Sequence, residues 1–430
     1  LAVSQTLTAS AGQTLRTGWA KLAGDQIVLG AKDLSNIRGE IIQTGSGDLS
    51  INLPGSLDNT QGRIATNSQN LGIKAGVITN IDGRIEHAST GHFGIDALTF
   101  SGARGQIISN GRLDVNAQTA VLDAATTAAG TLNITANTLS NQTGRLISHG
   151  DMTIAAERQL DNSGGTISSN GTLRVSADAL KNQTGSIQST GDNTLISDSL
   201  NNRQGQISAG QQLAVNVVHG LDNTSGLLAA TRKLEVSAAQ IDNQSGTVGS
   251  VQGSAQVTAR SGRLDNSAGR IEAAGALDLS AQGLGNADGV LSGEQLSVNS
   301  QGAAFDNTRG KLMARGTLDL QSGALQNKQG LIQAGGALSI DTHGQRLDNT
   351  DAGSQGGIVG QSSVRLTTGD LNNTAGYIGS VGALTVSGQN VDNTQTGLIS
   401  SNSALTITAQ GRLSNSSQLS SGERMSIEAR

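Results

Sequence analysis

The feature that most constrains this sequence is a short string that returns about every 21 residues. The string has the form Leu-x-Asn-x-x-Gly-x-Leu/Ile, and two clear copies are Leu57–Ile64 and Leu160–Ile167. A fixed period of this length predicts a stacked repeat architecture rather than a row of separate globular domains. The asparagine of the string stands at Asn36, Asn59, Asn80, Asn141, Asn162, Asn182, Asn202, Asn223, Asn243, Asn266, Asn286, Asn307, Asn327, Asn349, Asn373, Asn393 and Asn415.

Within one period the apolar residues keep offsets of 0, 7, 13 and 15, as in Leu160, Ile167, Leu173 and Val175. The last two alternate as residues on one face of a β-strand do. A helix would need apolar partners three and four residues away, but those places hold Gly, Ser, Asn and Thr, which disfavour helix. Each period therefore predicts three short strands separated by turns.

One period is too short to bury its own apolar residues, so its strands must pair with those of neighbouring periods at about 4.8 Å. We expect an all-β fold, a right-handed parallel β-helix of about 20 coils with about 21 residues per coil, because parallel crossovers favour that hand. Residues 1–430 should form a single array, less regular at 65–138, that is a fragment of a longer filament. A leucine-rich repeat has a similar period, but its L-x-x-L-x-L-x-x-N string does not fit Leu173–Asn182.

The composition restricts the function classes. A net charge of −5, with 28 Lys and Arg spread along the chain, leaves no basic stripe for phosphate, so no nucleic acid partner is expected. There is no run of 18 apolar residues, and we expect no membrane span in this segment. The absence of cysteine fits a cytosolic protein and equally a long chain that crosses an envelope unfolded. The few aromatic residues indicate a thin, aliphatic core.

The repeated asparagine predicts a structural ladder. An amide side chain at a turn tolerates left-handed backbone geometry and can hydrogen-bond to the backbone or to the same residue one rung away. We therefore expect the asparagines to stack inside the turns. The predicted ladder consists of Asn141, Asn162, Asn182, Asn202, Asn223, Asn243, Asn266, Asn286, Asn307 and Asn327.

Two groups of residues are candidate metal ligands, and both are better interpreted as surface residues. Glu86, His87 and His92 could hold Zn²⁺, but their spacing on a loop is nonspecific. The aspartate that often precedes the asparagine could form an outer column and share Ca²⁺ between rungs. A solvated edge, partly paired with Arg or Lys, is the preferred interpretation, so we predict no metal site. The aspartates of this column are Asp58, Asp161, Asp222, Asp242, Asp265, Asp306, Asp348 and Asp392.

An enzyme acting on polysaccharides would need clustered carboxylates, or carboxylates with Arg or Lys, beside a cleft. Only 14% of the residues are charged, and they follow the repeat rather than gathering. Sugar binding would also favour exposed aromatic platforms, which a chain with 1% aromatic residues hardly supplies. We therefore predict no enzyme, no catalytic residues and no cofactor.

The string Leu160–Ile167 and its copies resemble the haemagglutinin-type repeats of very large bacterial exoproteins, from about Leu34 to the end of the chain. These exoproteins include filamentous haemagglutinins and contact-dependent growth inhibition effectors of two-partner secretion. The resemblance implies a β-helical filament that is exported unfolded through an outer-membrane secretion partner and reaches the bacterial cell surface. Such filaments carry binding or toxin modules at their ends, and neither branch is favoured by this stretch.

Two functions follow from this reading. The preferred one is a structural shaft of a secreted exoprotein that extends and presents adhesive or toxin-delivery modules. The alternative is an adhesin segment that binds a target-cell receptor through a recognition surface in the irregular coils 65–138. The sequence supports both of these functions better than a zinc site, a calcium site or an enzyme.

Overall fold

The computed structural model describes residues 2–353 and 355–430. The described residues form strands, turns and bends with no helix, and their paired strands run parallel. The chain divides into two compact units, Leu1–Gln211 and Gln212–Arg430. Each unit is a parallel β-solenoid, as the period predicted.

In the first unit, the coils form two sheets, a short one and a long one. Each short-sheet strand begins just after an Asn-x-x-Gly turn or its equivalent. The short-sheet strands are Lys21–Gly24, Glu40–Gln43, Arg63–Thr66, Arg84–His87, Gln106–Ser109, Thr126–Ala129, Arg145–Ser148, Thr166–Ser169, Ser186–Ser189 and Gln206–Ala209. The long-sheet strands are Thr14–Arg16, Asp33–Ser35, Leu49–Asn52, Ser56–Asp58, Leu71–Thr79, His92–Ser101, Arg112–Val121, Thr131–Ser140, Met152–Asp161, Leu173–Lys181 and Asn193–Asn201. A two-stranded sheet of Thr6–Ser10 and Gln26–Gly30 lies beside the first coils.

The second unit repeats this arrangement with shorter strands. Its short-sheet strands are Leu227–Ala230, Thr247–Ser250, Arg270–Ala273, Val290–Gly293, Lys311–Ala314, Leu331–Ala334, Gly357–Gly360, Tyr377–Ser380, Leu398–Ser401 and Gln418–Ser421. Its long-sheet strands are Gln212–Val217, Gly220–Asp222, Lys233–Ala238, Gln240–Asp242, Ala255–Ala259, Leu264–Asp265, Ala276–Ala281, Leu284–Gly285, Gln295–Asn299, Phe305–Asp306, Leu318–Gln321, Leu325–Gln326, Leu338–Asp341, Leu347–Asp348, Val364–Thr367, Asp370–Asn372, Leu384–Gly388, Asn390–Asn393, Leu405–Ala409, Leu413–Asn415 and Met425–Ala429.

The core of each unit consists of aliphatic columns. Leu160, Leu180 and Leu200 lie directly opposite one another on successive coils, and all three are buried. The isoleucine that follows the turn forms a second column, in which Ile167 is opposite Ile187. Because equivalent apolar residues stack on one another, each coil buries the apolar side chains of the coils on either side.

The number of strands per coil differs between the units. Coils of the second unit have the three strands that the pattern predicts, whereas from Leu71 to Asn201 two of them merge into one strand of nine or ten residues. The apolar offsets are the same in both cases, so the pattern alone does not distinguish them. The stretch 65–138, which departs from the repeat in sequence, pairs in the same continuous ladder, with Leu71 opposite Phe93 and Phe93 opposite Leu113.

Candidate functional site

The amide ladder is the most repeated polar structure in the molecule. Asn182 is fully buried, and its Oδ1 accepts a hydrogen bond of 2.7 Å from Nδ2 of Asn162. Its own Nδ2 donates to Oδ1 of Asn202 at 2.8 Å, and to the carbonyl of Gly185 in the same turn at 3.3 Å. Each amide thus connects two coils and closes its own turn, which satisfies a polar group that burial would otherwise penalise.

All ten asparagines of the predicted ladder are fully buried. Side-chain amide bonds of this kind connect successive asparagines within each unit. In the first unit they join Asn36, Asn59 and Asn80, and likewise Asn141, Asn162, Asn182 and Asn202; in the second unit they join Asn223, Asn243, Asn266, Asn286, Asn307, Asn327, Asn349, Asn373, Asn393 and Asn415.

Replacing Asn182 by Ala should lower the free energy of unfolding by about 1–3 kcal/mol, because it leaves buried donors and acceptors of two neighbouring coils unmatched. Gln183→Ala is the matched control, since Gln183 is exposed in the same turn, and should change stability by less than about 0.5 kcal/mol. Denaturant unfolding of both variants measures the difference. Equal effects would contradict a stabilising role for the ladder.

The turn itself differs from the expected geometry. The left-handed backbone is adopted not by the asparagine but by the residue two places later, such as Thr184 with φ of 53°. The N–H of Gly185 then donates to the carbonyl of Asn182 at 3.1 Å and closes the turn. Gly185 is required for space: a Cβ there would lie 2.2 Å from the carbonyl oxygen of Asn162.

The ladder is interrupted in the first unit. Between Asn80 and Asn141 the two intervening turns carry Gly102 and Leu122 in the asparagine position, and Oδ1 of Asn141 consequently has no hydrogen-bond partner. Gly102 leaves room for a larger neighbour, because a Cβ on it would lie 3.0 Å from Cδ2 of Leu122 and 3.4 Å from the ring of Phe100. Phe100 and Leu122 therefore form an apolar plug, which occupies the space of two amide side chains.

Alanine takes the place of the turn glycine in two turns that lack the asparagine. Where Leu122 replaces the amide, the fourth residue of the turn is Ala125, and where Thr17 replaces it, the fourth residue is Ala20. In an ordinary turn a Cβ at that position would also meet the asparagine's own Oδ1, as at Gly185, where the distance is 2.6 Å. Removing the amide removes that clash.

We expect Leu122→Asn alone to destabilise the first unit by about 2–5 kcal/mol, since it removes a buried aliphatic side chain and crowds Ala125. The triple variant Gly102→Asn, Leu122→Asn, Ala125→Gly should recover part of this loss, because it completes the ladder between Asn80 and Asn141 and relieves the crowding at position 125. A thermodynamic cycle of the unfolding free energies tests the coupling. A triple variant less stable than Leu122→Asn would contradict the role of the plug.

The aspartates that precede the ladder cap the turn. Oδ1 of Asp161 accepts the N–H of Ser163 at 3.0 Å, and Asp242 and Asp306 make the same contact with the residue two places later. Burial alone would raise the pKa of the Asp161 carboxyl, but the hydrogen bonds from Ser163 and Gln142 outweigh burial and lower it. Within residues 2–353 and 355–430, no group of His, Cys, Asp and Glu could hold a metal ion.

The histidines of the irregular stretch do not converge. His87 lies inside the coil, whereas Glu86 faces outward and pairs with Arg63 at 2.7 Å. His92 is on the surface and contacts Asp114, with 2.8 Å between Nε2 and Oδ2. The burial of His87 could not be read from the sequence, because its offset is usually filled by Ser or Ala.

A surface groove of about 520 Å³ lies along the coils between residues 52 and 135. Its floor is formed by Ala75, Ala97 and Ala117, which are opposite one another on successive strands. Asp96 lines one side, and on the other the side chain of Leu98 is 59% exposed. The sequence analysis missed this groove, although three alanines at one offset were a visible signal for it.

Comparison with known proteins agrees with this structure. The family model described as "Haemagglutinin repeat" matches residues 42–117, 108–177, 158–217, 216–267, 246–304, 295–355 and 357–417. The chain is similar to the protein named "Toxin CdiA" of Yersinia pestis, with 32% identity over 186 residues. The match covers 39% of this chain and 6% of that relative.

Two further findings concern the solved structures and the membrane. No solved structure matches the chain. Among the described residues, no helix is long and apolar enough to cross a bilayer. The family matches extend over nearly all of residues 42–417, with the same turn and strand register beneath them. The chain therefore belongs to the haemagglutinin repeat family.

Proposed function

We propose that this chain is a structural shaft of a secreted, cell-surface bacterial exoprotein, which extends and presents adhesive or toxin-delivery modules. The observation that carries the proposal is the repetition of the coils within each unit, which share one strand register and, outside the two turns between Asn80 and Asn141, one type of amide ladder. Each additional coil adds about 4.8 Å along the strand-pairing direction. The length of such a shaft therefore increases by the same small amount with each coil.

Two further points support secretion and delivery. Family resemblance connects such repeats with export through an outer-membrane partner, and a chain with no cysteine forms no disulfide that would obstruct such export. The similar protein of Yersinia pestis carries the name of a toxin, and this chain matches 6% of it. A segment of that size suits a presenting role, with the activity located elsewhere.

The test is a series of complete-coil deletions in the full-length exoprotein, with adhesion or toxin delivery to target cells as the readout. A shaft should lose activity gradually as coils are removed, while single substitutions of exposed polar residues leave it intact. Loss of delivery after one exposed substitution, such as Asp178→Asn, in a chain that still folds and is exported would contradict the proposal.

A second candidate function is favoured by the groove at residues 52–135. Concave surfaces that combine apolar and polar side chains are common binding sites, and this one carries the exposed Leu98 beside Asp96. The alternative is therefore an adhesive segment that binds a target-cell receptor directly.

Two deletions of equal length separate the candidates. Removing Asn80–Ser140 takes out three coils that include much of the groove, and removing Asn141–Asn201 takes out three coils beyond it. Both deletions rejoin the chain at the same point of the coil. A shaft should respond equally to both, whereas an adhesive segment should lose attachment only in the first.

A further inference from the structure

His87 occupies an enlarged corner of the coil, between a short-sheet strand and the next long-sheet strand. The corner runs from His87 to Phe93, and the equivalent corner one coil later runs only from Ser109 to Leu113. The imidazole is 1% exposed and lies 5.9 Å from the ring of Phe93. We call residues 66–71 and 87–93 the wide corner.

The hydrogen bonds of His87 accommodate a neutral ring. Nε2 is 2.9 Å from the carbonyl oxygen of Ser68, which can only accept, so Nε2 carries a hydrogen. Nδ1 is 3.1 Å from Oγ of Ser109, and that oxygen already accepts the N–H of Gly111 at 3.2 Å. The hydroxyl of Ser109 is therefore free to donate to Nδ1, which acts as the acceptor.

Protonation would turn this acceptor into a donor. The hydroxyl of Ser109 would have to rotate away from Nδ1, and a charged ring would then be enclosed beside Phe93. Among the described residues, the ionisable groups around the corner do not stabilise a positive charge on His87. Glu86 faces outward and pairs with Arg63 and Arg84, and the charge interaction with His92 disfavours a positive charge on His87.

We propose that the wide corner is an acid-sensitive opening point of the first unit, which releases residues 66–71 and 87–93 when His87 takes up a proton. The coils that follow it, whose corners carry Ser or Ala in this column, stay closed. The proposal concerns a conformational response of this unit and does not depend on the shaft function.

The direction of the pH effect follows from the burial. Burial lowers the pKa of the His87 imidazole below its ordinary value of 6.5, and the backbone carbonyls of Ser68 and Gln69 oppose this only in part. Above pH 6.5 both open and closed states hold a neutral ring, and the closed corner keeps its full stability. Below pH 6.5 the open state binds the proton first, so stability is lost as the pH falls towards the lower pKa of the closed state.

Hydrogen exchange of the intact chain, measured by mass spectrometry at pH 7.5 and 5.5 and corrected for intrinsic exchange rates, tests the proposal. The opening equilibrium of residues 88–93 should rise at pH 5.5 by at most about tenfold, which is the limit for an open state that titrates at about 6.5. Peptides from coils beyond residue 141 should show no comparable change.

His87→Gln is the matched variant, because Gln43 occupies the same column two coils earlier and is itself buried. It should remove the pH dependence of the corner, whereas His92→Gln, at an exposed site, should retain it. If His87→Gln does not fold, the NMR titration of His87 in the unaltered chain decides, since its protonation should coincide with opening. A corner that opens equally at both pH values, or a pH dependence that survives in His87→Gln, would overturn the proposal.

Discussion

Deleting one complete coil, Leu180–Ser199, should leave the first unit folded, whereas deleting only residues 180–189 should unfold the coils around the junction. Leu180 is opposite Leu200 and Ala179 is opposite Ser199, so the longer deletion joins the chain at equivalent points of the coil. Asn162 would then meet Asn202 and continue the ladder. The shorter deletion places turn residues against the apolar columns of the next coil, and the loss should approach the whole stability of the affected coils.

The two deletion variants are compared in the intact chain by circular dichroism and by denaturant unfolding. The complete-coil variant should keep its β spectrum, with a midpoint close to that of the unaltered chain. The ten-residue variant should lose part of its β signal and expose the junction to proteolysis. If both deletions are tolerated equally, the coils are not held by register, and the solenoid account of the core is wrong.

The largest effect of a single substitution should come from Gly185→Ala. The added Cβ would lie 2.2 Å from the carbonyl oxygen of Asn162 and 2.6 Å from Oδ1 of Asn182. Neither atom can withdraw without breaking the turn of the preceding coil or the ladder, because the carbonyl of Asn162 accepts the N–H of Gly165 at 3.0 Å and Oδ1 of Asn182 accepts Nδ2 of Asn162 at 2.7 Å. We expect a loss of about 3 kcal/mol or more, at or above the upper end of the roughly 1–3 kcal/mol that overpacking usually costs, because the blocking atoms belong to a rigid backbone and a buried amide.

Gly72→Ala is the control for this substitution. Gly72 faces outward from a strand, and a Cβ there would meet nothing within 4 Å. Alanine should be neutral or stabilise the chain by about 0.5–1 kcal/mol, because it restricts the unfolded state more than glycine does. Chemical unfolding of the two variants, compared with the unaltered chain, gives the contrast. Similar losses at both positions would show that close approach is not the reason for the glycine at 185.

Much of the fold could be predicted from the sequence. The offsets shared by Leu160, Ile167, Leu173 and Val175 returned often enough to identify strands, turns and a stacked core, and the repeated asparagine pointed to the ladder position. These properties depend on residue spacing within one coil, which is local and visible in a single chain.

The tertiary structure alone decided what each position does. Whether the glycine at 185 serves a positive φ or a close contact depends on the carbonyl oxygen of Asn162, an atom of the preceding coil. Whether His87 is a surface residue or a buried one depends on Ser68 and Ser109 in the coils on either side. The sequence determines the period and the columns, because both are set by spacing along one chain. The space, the hydrogen-bond partners and the groove are set between coils, where residues about 20 positions apart meet, and only the stacked structure shows which atoms those are.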